Sequence, residues 1–420
     1  MTRWLSSTLA AALLLAGCSQ GLPEAPGELI ASDKKRVEEP TASTEDLASL
    51  ASGNTDFGVA LYQQVKKPGE NVFFSPFSIS QAFAMVYAGA RGNTEQQMRQ
   101  ALHFTLPQER LHPAMNALDL ALSGRAEQVG DQKQPPPELR VVNATWAQKG
   151  YTLEPAFLDV LAQHYGAGIR GVDFQREPES IRSQINDWVE AHTNDRIQEL
   201  LPEGSVKSDT RLALVNALYF KGAWSSTFPT QLTQSGAFHL LGGEQQQVQM
   251  MHRSDSTPRK RGDGFNALAL PYVGKAFRML LIVPDAGRFE EIEGRLSASF
   301  LDSVRAEMQS EYLALGIPKF KLEGEVPLTG ALQTLGMVDA FGSEADLSGI
   351  TTQERLAITS ARHKAFISVD ETGTEAAAAT GITIGPVSQP ESIIVNRPFL
   401  FLIEDVETKT VLFLGRVVKP

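Results

Sequence analysis

Glu371-Thr-Gly-Thr-Glu-Ala-Ala-Ala-Ala-Thr380 lies between an apolar strand pattern, His363-Lys-Ala-Phe-Ile-Ser-Val369, and a polar, proline-dotted stretch that ends at Arg397. Four alanines alone favour a helix. The glycine and threonines beside them favour extended backbone as well, and side chains this small can slide into an already packed sheet. The segment reads as a loop able to become a strand. That property suits a conformational trap better than an enzyme.

Outward from this run, the apolar patterns divide by position. Leu212-Ala-Leu-Val-Asn-Ala-Leu-Tyr-Phe220 is apolar on both faces and predicts a central strand, as does Phe277-Arg-Met-Leu-Leu-Ile-Val283. Phe399-Leu-Phe-Leu-Ile403 and Val411-Leu-Phe-Leu-Gly415 predict a hairpin around Glu404 to Thr410. Helices fall earlier. Ser75-Pro76 reads as an N-cap with proline at the first helical position, leading into Ile79, Phe83, Met85 and Val86. Gly92-Asn-Thr94 should end that helix, and Thr94 with Gln97 forms a capping-box pattern that should start the next. Ile181, Ile185, Trp188 and Val189 form a helical stripe, and Leu328 to Leu335 a short helix closed by Gly336. Early helices, late strands and no repeat give the α+β class. One polar residue interrupts the apolar strands. An unpaired Asn216 amide in a buried strand would cost ~1–3 kcal/mol. It needs partners from elsewhere in the chain, which either stabilise the core or latch a movable part of the sheet.

Met1-Thr-Arg3 and the apolar run from Trp4 to Ala16 have the form of an export signal, too short to span a bilayer. The ending Leu15-Ala-Gly-Cys18 resembles the bacterial lipoprotein signal, which implies removal of residues 1–17 and a lipid on Cys18. Ser19, in place of Asp, then favours the outer membrane of the cell envelope. Residues 18–46, rich in Pro, Ala, Ser and Glu, read as a flexible tether. Cys18 is the sole cysteine, so no intramolecular disulfide forms and the fold must hold by burial. Net charge is -11 with acidic residues dispersed, which argues against nucleic acid as a partner. Arg259-Lys-Arg261, the one basic cluster, reads as a solvated hairpin loop, with a polyanion site as the alternative. No interior linker divides 47–420; Gln132-Lys-Gln-Pro-Pro-Pro137 is a surface loop. The seven histidines (His103, His112, His164, His192, His239, His252, His363) lack metal-ligand spacing. No zinc-protease, P-loop or nucleophile-elbow motif occurs, so the sequence points to no cofactor, metal or ordinary hydrolase.

Several motifs then stand in order along the chain: Asn71-Val-Phe-Phe-Ser-Pro-Phe-Ser-Ile79, Asn216-Ala-Leu-Tyr-Phe-Lys-Gly-Ala-Trp224 and Leu268-Ala-Leu-Pro-Tyr272. Ile317-Pro-Lys-Phe320, Leu335-Gly-Met337 with Ala345-Asp-Leu-Ser-Gly349, His363-Lys-Ala-Phe-Ile367 and Asn396-Arg-Pro-Phe399 follow. Together they resemble the serpin family across 47–420. The resemblance implies three β-sheets (A, B and C), about nine helices and an exposed reactive-centre loop over residues 371–396. It also supplies partners for Asn216. Ser75, Ser78 and His363 match a hydrogen-bonded cluster beneath the opening of sheet A, and Trp224 matches the tryptophan under its top.

The implied function is suicide inhibition of serine endopeptidases by a monomer. The protease attacks the loop to form an acyl-enzyme, and the cut loop inserts into sheet A as a new strand. Thr374 to Val387 is 14 residues, roughly 45 Å when extended. The attached protease is carried to the far end and distorted, and ~1 Å of misplacement can cost ~100-fold in rate. Glu371 starts the hinge and Gly373 lets it bend. Thr374, Ala376, Ala378 and Thr380 then face the core in alternation with Ala377 and Ala379. Sixteen residues beyond Glu371 and nine before Asn396 is Val387, so the family spacing makes Val387–Ser388 the reactive bond. Val387 suits the shallow pocket of an elastase-like protease. One methylene is worth only ~1–3 kcal/mol, so subtilisin-like or cysteine proteases also fit. Ile384, the other aliphatic candidate, leaves the loop three residues short. The alternative is a non-inhibitory serpin acting as a binding or chaperone-like protein.

Overall fold

The computed structural model describes residues 22–127, 136–374 and 390–420. In chain order the first strands are β1 (Glu28–Ile30), β2 (Val72–Phe74), β3 (Glu138–Gln148), β4 (Ile169–Val172) and β5 (Leu212–Ala223). Next come β6 (Gln234–His239), β7 (Gln245–Gly262), β8 (Phe265–Pro271), β9 (Phe277–Pro284), β10 (Gln309–Pro318) and β11 (Phe320–Pro327). The last are β12 (Ser360–Val369), β13 (Gly373–Thr374), β14 (Glu391–Ile394), β15 (Phe399–Asp405) and β16 (Val411–Val417). The first helices are α1 (Thr44–Val65), α2 (Pro76–Tyr87), α3 (Gly92–Ala101), α4 (Gln108–Glu127), α5 (Pro155–Tyr165) and α6 (Pro178–His192). Three shorter helices, α7 (Phe289–Gly294), α8 (Ala298–Ala306) and α9 (Leu328–Thr334), complete the set among the described residues. The α+β expectation holds.

Two hydrogen-bonded sheets result. One has the order β1-β4-β3-β5-β13-β12-β11, and the other β14-β10-β7-β8-β9-β15-β16-β2, with β6 alongside β7. The two smaller sheets expected from the resemblance are joined here, because β7 runs unbroken for 18 residues through both. The β15–β16 hairpin forms as its sequence requires. β5 explains its own double-sided apolar pattern. Leu212, Leu214, Leu218 and Phe220 face the main core, while Ala213, Val215 and Ala217 face Ile181, Ile185 and Val189 of α6. A strand covered on both faces has no solvated side to carry polar residues.

Local signals mostly hold. Ser75 caps α2, its Oγ accepting from the Ser78 amide at 3.1 Å. Thr94 is not a cap: α3 begins at Gly92, two residues earlier. The buried Thr94 Oγ1 instead accepts from the Asp346 amide (2.9 Å), and Gln97 Oε1 from the amides of Val338 and Asp339. Tertiary partners claimed both members of the expected box.

The tether expectation for 18–46 needs correction over its described part. α1 starts at Thr44 behind a capping box of Ser43 and Asp46. Before it, residues 26–37 form a strap that runs from the β4 edge of the sheet onto α5 and α4. β1 pairs antiparallel with β4, the Trp146 indole donates to Pro26 O (2.9 Å), and the Val37 amide donates to Gln163 O (2.9 Å). Arg36 donates to Asp119 (2.5 Å) and Asn116 (2.8 Å) on α4, and Lys34 pairs with Asp159 on α5 (2.7 Å). The composition is that of a linker, but the body supplies an unpaired strand edge and complementary carboxylates. Gly168 leaves room for this contact, since a Cβ there would meet Ile30 O at 2.6 Å and Ala31 Cβ at 2.9 Å. A Gly168→Ala variant should therefore lift the strap. Amide exchange at Leu29 and Ile30 should speed up several-fold while the β15–β16 hairpin stays protected; unchanged exchange at the strap would refute the docking.

Candidate functional site

β5 and β12 run parallel and directly paired from Ala213 with Ser360 to Leu218 with Ala365. Beyond Leu218 and Ala365 they part, and β13 occupies the gap. Gly373 lies opposite Ala223, and Thr374 opposite both Gly222 and Val369, antiparallel to both neighbours. The hinge was expected to be exposed from Glu371 onward. Instead Glu371, Gly373 and Thr374 are buried, Thr374 to 1% exposure.

The surroundings account for this seating. Asp370 Oδ1 accepts from the amide (2.8 Å) and hydroxyl (2.6 Å) of Thr372 and from the Gly373 amide (3.2 Å), folding the chain into a tight turn. Trp224 holds that turn, its indole donating to Asp370 O (3.0 Å) and its amide to Thr372 O (2.9 Å). Tyr272 stacks on Trp224 with ring centroids 4.7 Å apart, and its hydroxyl lies 2.8 Å from Thr374 Oγ1. A Cβ on Gly373 would fall 2.1 Å from Gly222 O, so only glycine fits. Glu371 accepts from Thr233 Oγ1 (2.8 Å) and pairs with Lys319 (2.8 Å). Burial works to raise the Glu371 pKa, but Lys319 and Thr233 together hold it below the usual carboxylate range.

Deeper in the sheet, Asn216 finds the partners that its burial demanded. Its Oδ1 accepts from His363 Nδ1 (2.5 Å), and its amide nitrogen donates to Ser78 O (2.7 Å), with Ser78 Oγ and Asn143 Oδ1 also in contact. His363 Nε2 accepts from the Ser75 amide (2.9 Å). One ring nitrogen donates and the other accepts, so the imidazole is neutral; burial pushes its pKa down to about 3. The chain of bonds continues outward. Asn143 donates to Gln81 (2.9 Å), Gln81 to Asp119 (3.0 Å), and Asp119 binds Arg36 of the strap. A polar path thus links the junction of β5 and β12 to the part of the strap docked on α4.

A serpin (serine protease inhibitor) family model matches residues 52–420 of this chain. The chain belongs to the serpin family. It is 40% identical to an uncharacterized serpin-like protein of Thermococcus kodakarensis over 369 residues, 87% of this chain and 84% of that one. It is 37% identical to the leukocyte elastase inhibitor of Sus scrofa over 391 residues, 89% of this chain and 100% of that one. The fold is similar to that of the thermophilic serpin tengpin in the native state, with a TM-score of 0.81, 26% identity, and coverage of 93% of this chain and 98% of that one. The seven-stranded sheet is therefore sheet A, and residues 375–390 link its hinge to β14.

Among the expected site residues, Ser75, Ser78, Asn216 and His363 come together as one cluster. Trp224, Glu371, Gly373 and Thr374 come together as a second. Cys18, Ala376, Ala377, Ala378, Ala379, Thr380, Val387, Ser388 and the secondary candidate Ile384 lie outside the described residues. The sequence reading missed Asn143, Tyr272, Thr233 and Lys319. Asn143 carried the same signal as Asn216, a carboxamide in mid-strand. Tyr272 and Lys319 stood inside quoted motifs without a role. The solvated-loop reading of Arg259-Lys-Arg261 is corrected. Arg259 is 4% exposed on β7 and pairs with Glu311 (3.2 Å) and Glu391 (3.0 Å), Arg261 with the same two carboxylates, and Lys260 with Glu307. Each cation of the cluster thus has a carboxylate partner, two of them on β14 through Glu391, which removes the basis for a polyanion site. Among the described residues, no group of three or more His, Cys, Asp or Glu could hold a metal ion, and no helix is long and apolar enough to cross a membrane.

The neutral His363 sets a pH dependence. Above pH 6.5 neither folded nor unfolded chain protonates this group; below it only the unfolded chain does, until the folded group also titrates near pH 3. Stability from this site is therefore complete above pH 6.5 and falls by ~1.4 kcal/mol per pH unit as pH drops toward 3. A His363→Gln variant, which can still donate to Asn216 and accept from Ser75, should show an acid limb shallower by one proton in urea titrations from pH 7 to 4. An unchanged slope would rule out a buried neutral His363.

Proposed function

We propose that this serpin inhibits serine-type endopeptidases by trapping the acyl-enzyme as its loop inserts into sheet A. The observation that carries the reading is the seat of β13. Gly373 and Thr374 already occupy the gap between β5 and β12, antiparallel to both. Continued one residue at a time, that register sets Thr380 between Asn216 and His363 and residue 384 beside Leu212. Thr374 faces the main core against Tyr272, so Ala376, Ala378 and Thr380 would do so too. All are small enough to pass. Insertion replaces the one parallel β5–β12 contact with two antiparallel ladders, which are the slightly stronger kind.

Val387–Ser388 is the proposed reactive bond and an elastase-like enzyme the proposed target. The loop spacing supports the bond, and the kinship to a leukocyte elastase inhibitor supports the target. Cys18 is proposed to carry a lipid that anchors the protein to the bacterial envelope. The competing class is a non-inhibitory binding protein. The fold is also similar to that of human thyroxine-binding globulin (TM-score 0.80, 29% identity, 89% of this chain and 99% of that one). The unbroken run of small hinge residues favours the inhibitor.

Mixed with an elastase, the protein should give an SDS-stable complex larger than either partner and release a 33-residue fragment beginning at Ser388. Clean cleavage without a complex would instead support the non-inhibitory reading. Thr374→Arg places a long cation where a 1%-exposed hydroxyl now packs on Tyr272. Leaving a charge there costs several kcal/mol, so the variant should be cut as a substrate with at least ~10-fold less complex formed.

A further inference from the structure

The N-terminal strap leaves the body at the pole opposite the hinge. The Ala223 end of β5 lies beside Gly373, so Leu212 marks the far end of sheet A. Leu212 pairs with Ala147, Ala147 with Gly171, and Gly171 with Glu28. Gly27 and Pro26 thus lie at that far end, fastened by Arg170 and Trp146. With the β13 register extended, Val387 would arrive three residues beyond Leu212, at the same pole. The inserted strand and β1 would be separated by β5, β3 and β4, a lateral distance of about 19 Å.

Distances then conflict. Cys18 to Gly27 is nine residues, a reach of at most about 32 Å. A protease of about 230 residues measures about 45 Å across. A lipid on Cys18 would hold this pole nearer the bilayer than the width of the protease delivered to it. Detaching the strap as far as Val37 lengthens the leash to nineteen residues, about 65 Å, which is enough. Its fastenings are three β1–β4 pairs, a few polar contacts, and the packing of Ala25 and Ile30 against the two apolar clusters. One of those contacts, Arg36 to Asp119, ends the polar path that begins at the His363–Asn216 junction.

We infer that the anchored protein presents its loop away from the bilayer, delivers the trapped protease to the membrane-facing pole, and must unzip residues 26–37 from the sheet edge to make room. The inference rests on the inhibitor reading and on Cys18 as the lipid-bearing residue. On a membrane the docked strap is a brake on insertion, and delayed insertion lets the acyl-enzyme hydrolyse. Strap length then sets how many inhibitor molecules each trapped protease consumes.

The experiment couples the chain beginning at Cys18, through that single thiol, to phosphatidylcholine vesicles carrying a maleimide lipid. A second protein carries a 20-residue Gly/Ser insert between Gly21 and Leu22, and both are titrated against an elastase, free and on vesicles. The inference expects equal stoichiometry in solution, several-fold more inhibitor consumed per protease on vesicles with the native tether, and recovery with the insert. Equal stoichiometry on vesicles and in solution, or an increase that the insert does not relieve, overturns it. Absence of complex even in solution defeats the inhibitor reading and this inference with it. Failure of the lipoprotein reading shows separately, as an exported chain that stays in the aqueous phase of a detergent partition.

Discussion

The contact between Asn216 and His363 joins two parallel strands that have no strand between them. Parallel neighbours in a sheet usually arise from helical crossovers that cover both faces. Here β5 and β12 are brought together from distant parts of the chain, each already flanked by an antiparallel partner on its outer side. The sheet therefore closes on a parallel ladder at its centre. A strand placed between them would turn one parallel seam into two antiparallel ones. The other features gather along that junction: Gly373 where no Cβ fits, Thr374 packed on Tyr272, and a polar cluster where the two strands meet.

That cluster is fully satisfied, and each of its bonds is individually modest. Each buried polar group has a partner, so the closed sheet carries no unpaired amide at this point. Yet the seam depends on side-chain hydrogen bonds, each worth only ~0.5–1.5 kcal/mol net. Interdigitated apolar side chains across the same seam would have resisted opening more strongly. On the proposed reading, an arriving strand with Thr380 at this level could replace some of the lost bonds with its own backbone groups. The path from His363 to Arg36 then gives the docked strap a stake in the same event.

Much of this was legible in the sequence, and the failures have a common cause. β5 announced itself by being apolar on both faces, and Asn216 stood out because a lone carboxamide there needs partners. The small residues after Glu371 marked the segment that the proposed reading inserts into the sheet. The sequence could not reveal that a Pro-, Ser- and Glu-rich stretch would find a strand edge and two carboxylates to dock on, because docking is decided by the partner surface. Thr94 and Gln97 were misread for the same reason, their capping groups going to Asp346, Val338 and Asp339. Arg259 looked solvated because the neutralising Glu391 lies 132 residues away in the chain. Each failure lies where a contact made across the fold overrode or neutralised a local pattern.

On the proposed reading, sheet A opens between β5 and β12 to take up the loop once it is cut. Melting temperature before and after a single proteolytic cut between Thr374 and Glu391 tests it most directly, using a protease that is not itself trapped. The account predicts a cleaved protein that melts well above the intact one, because the freed loop completes the sheet. A cleaved protein that melts at or below the intact temperature would contradict it.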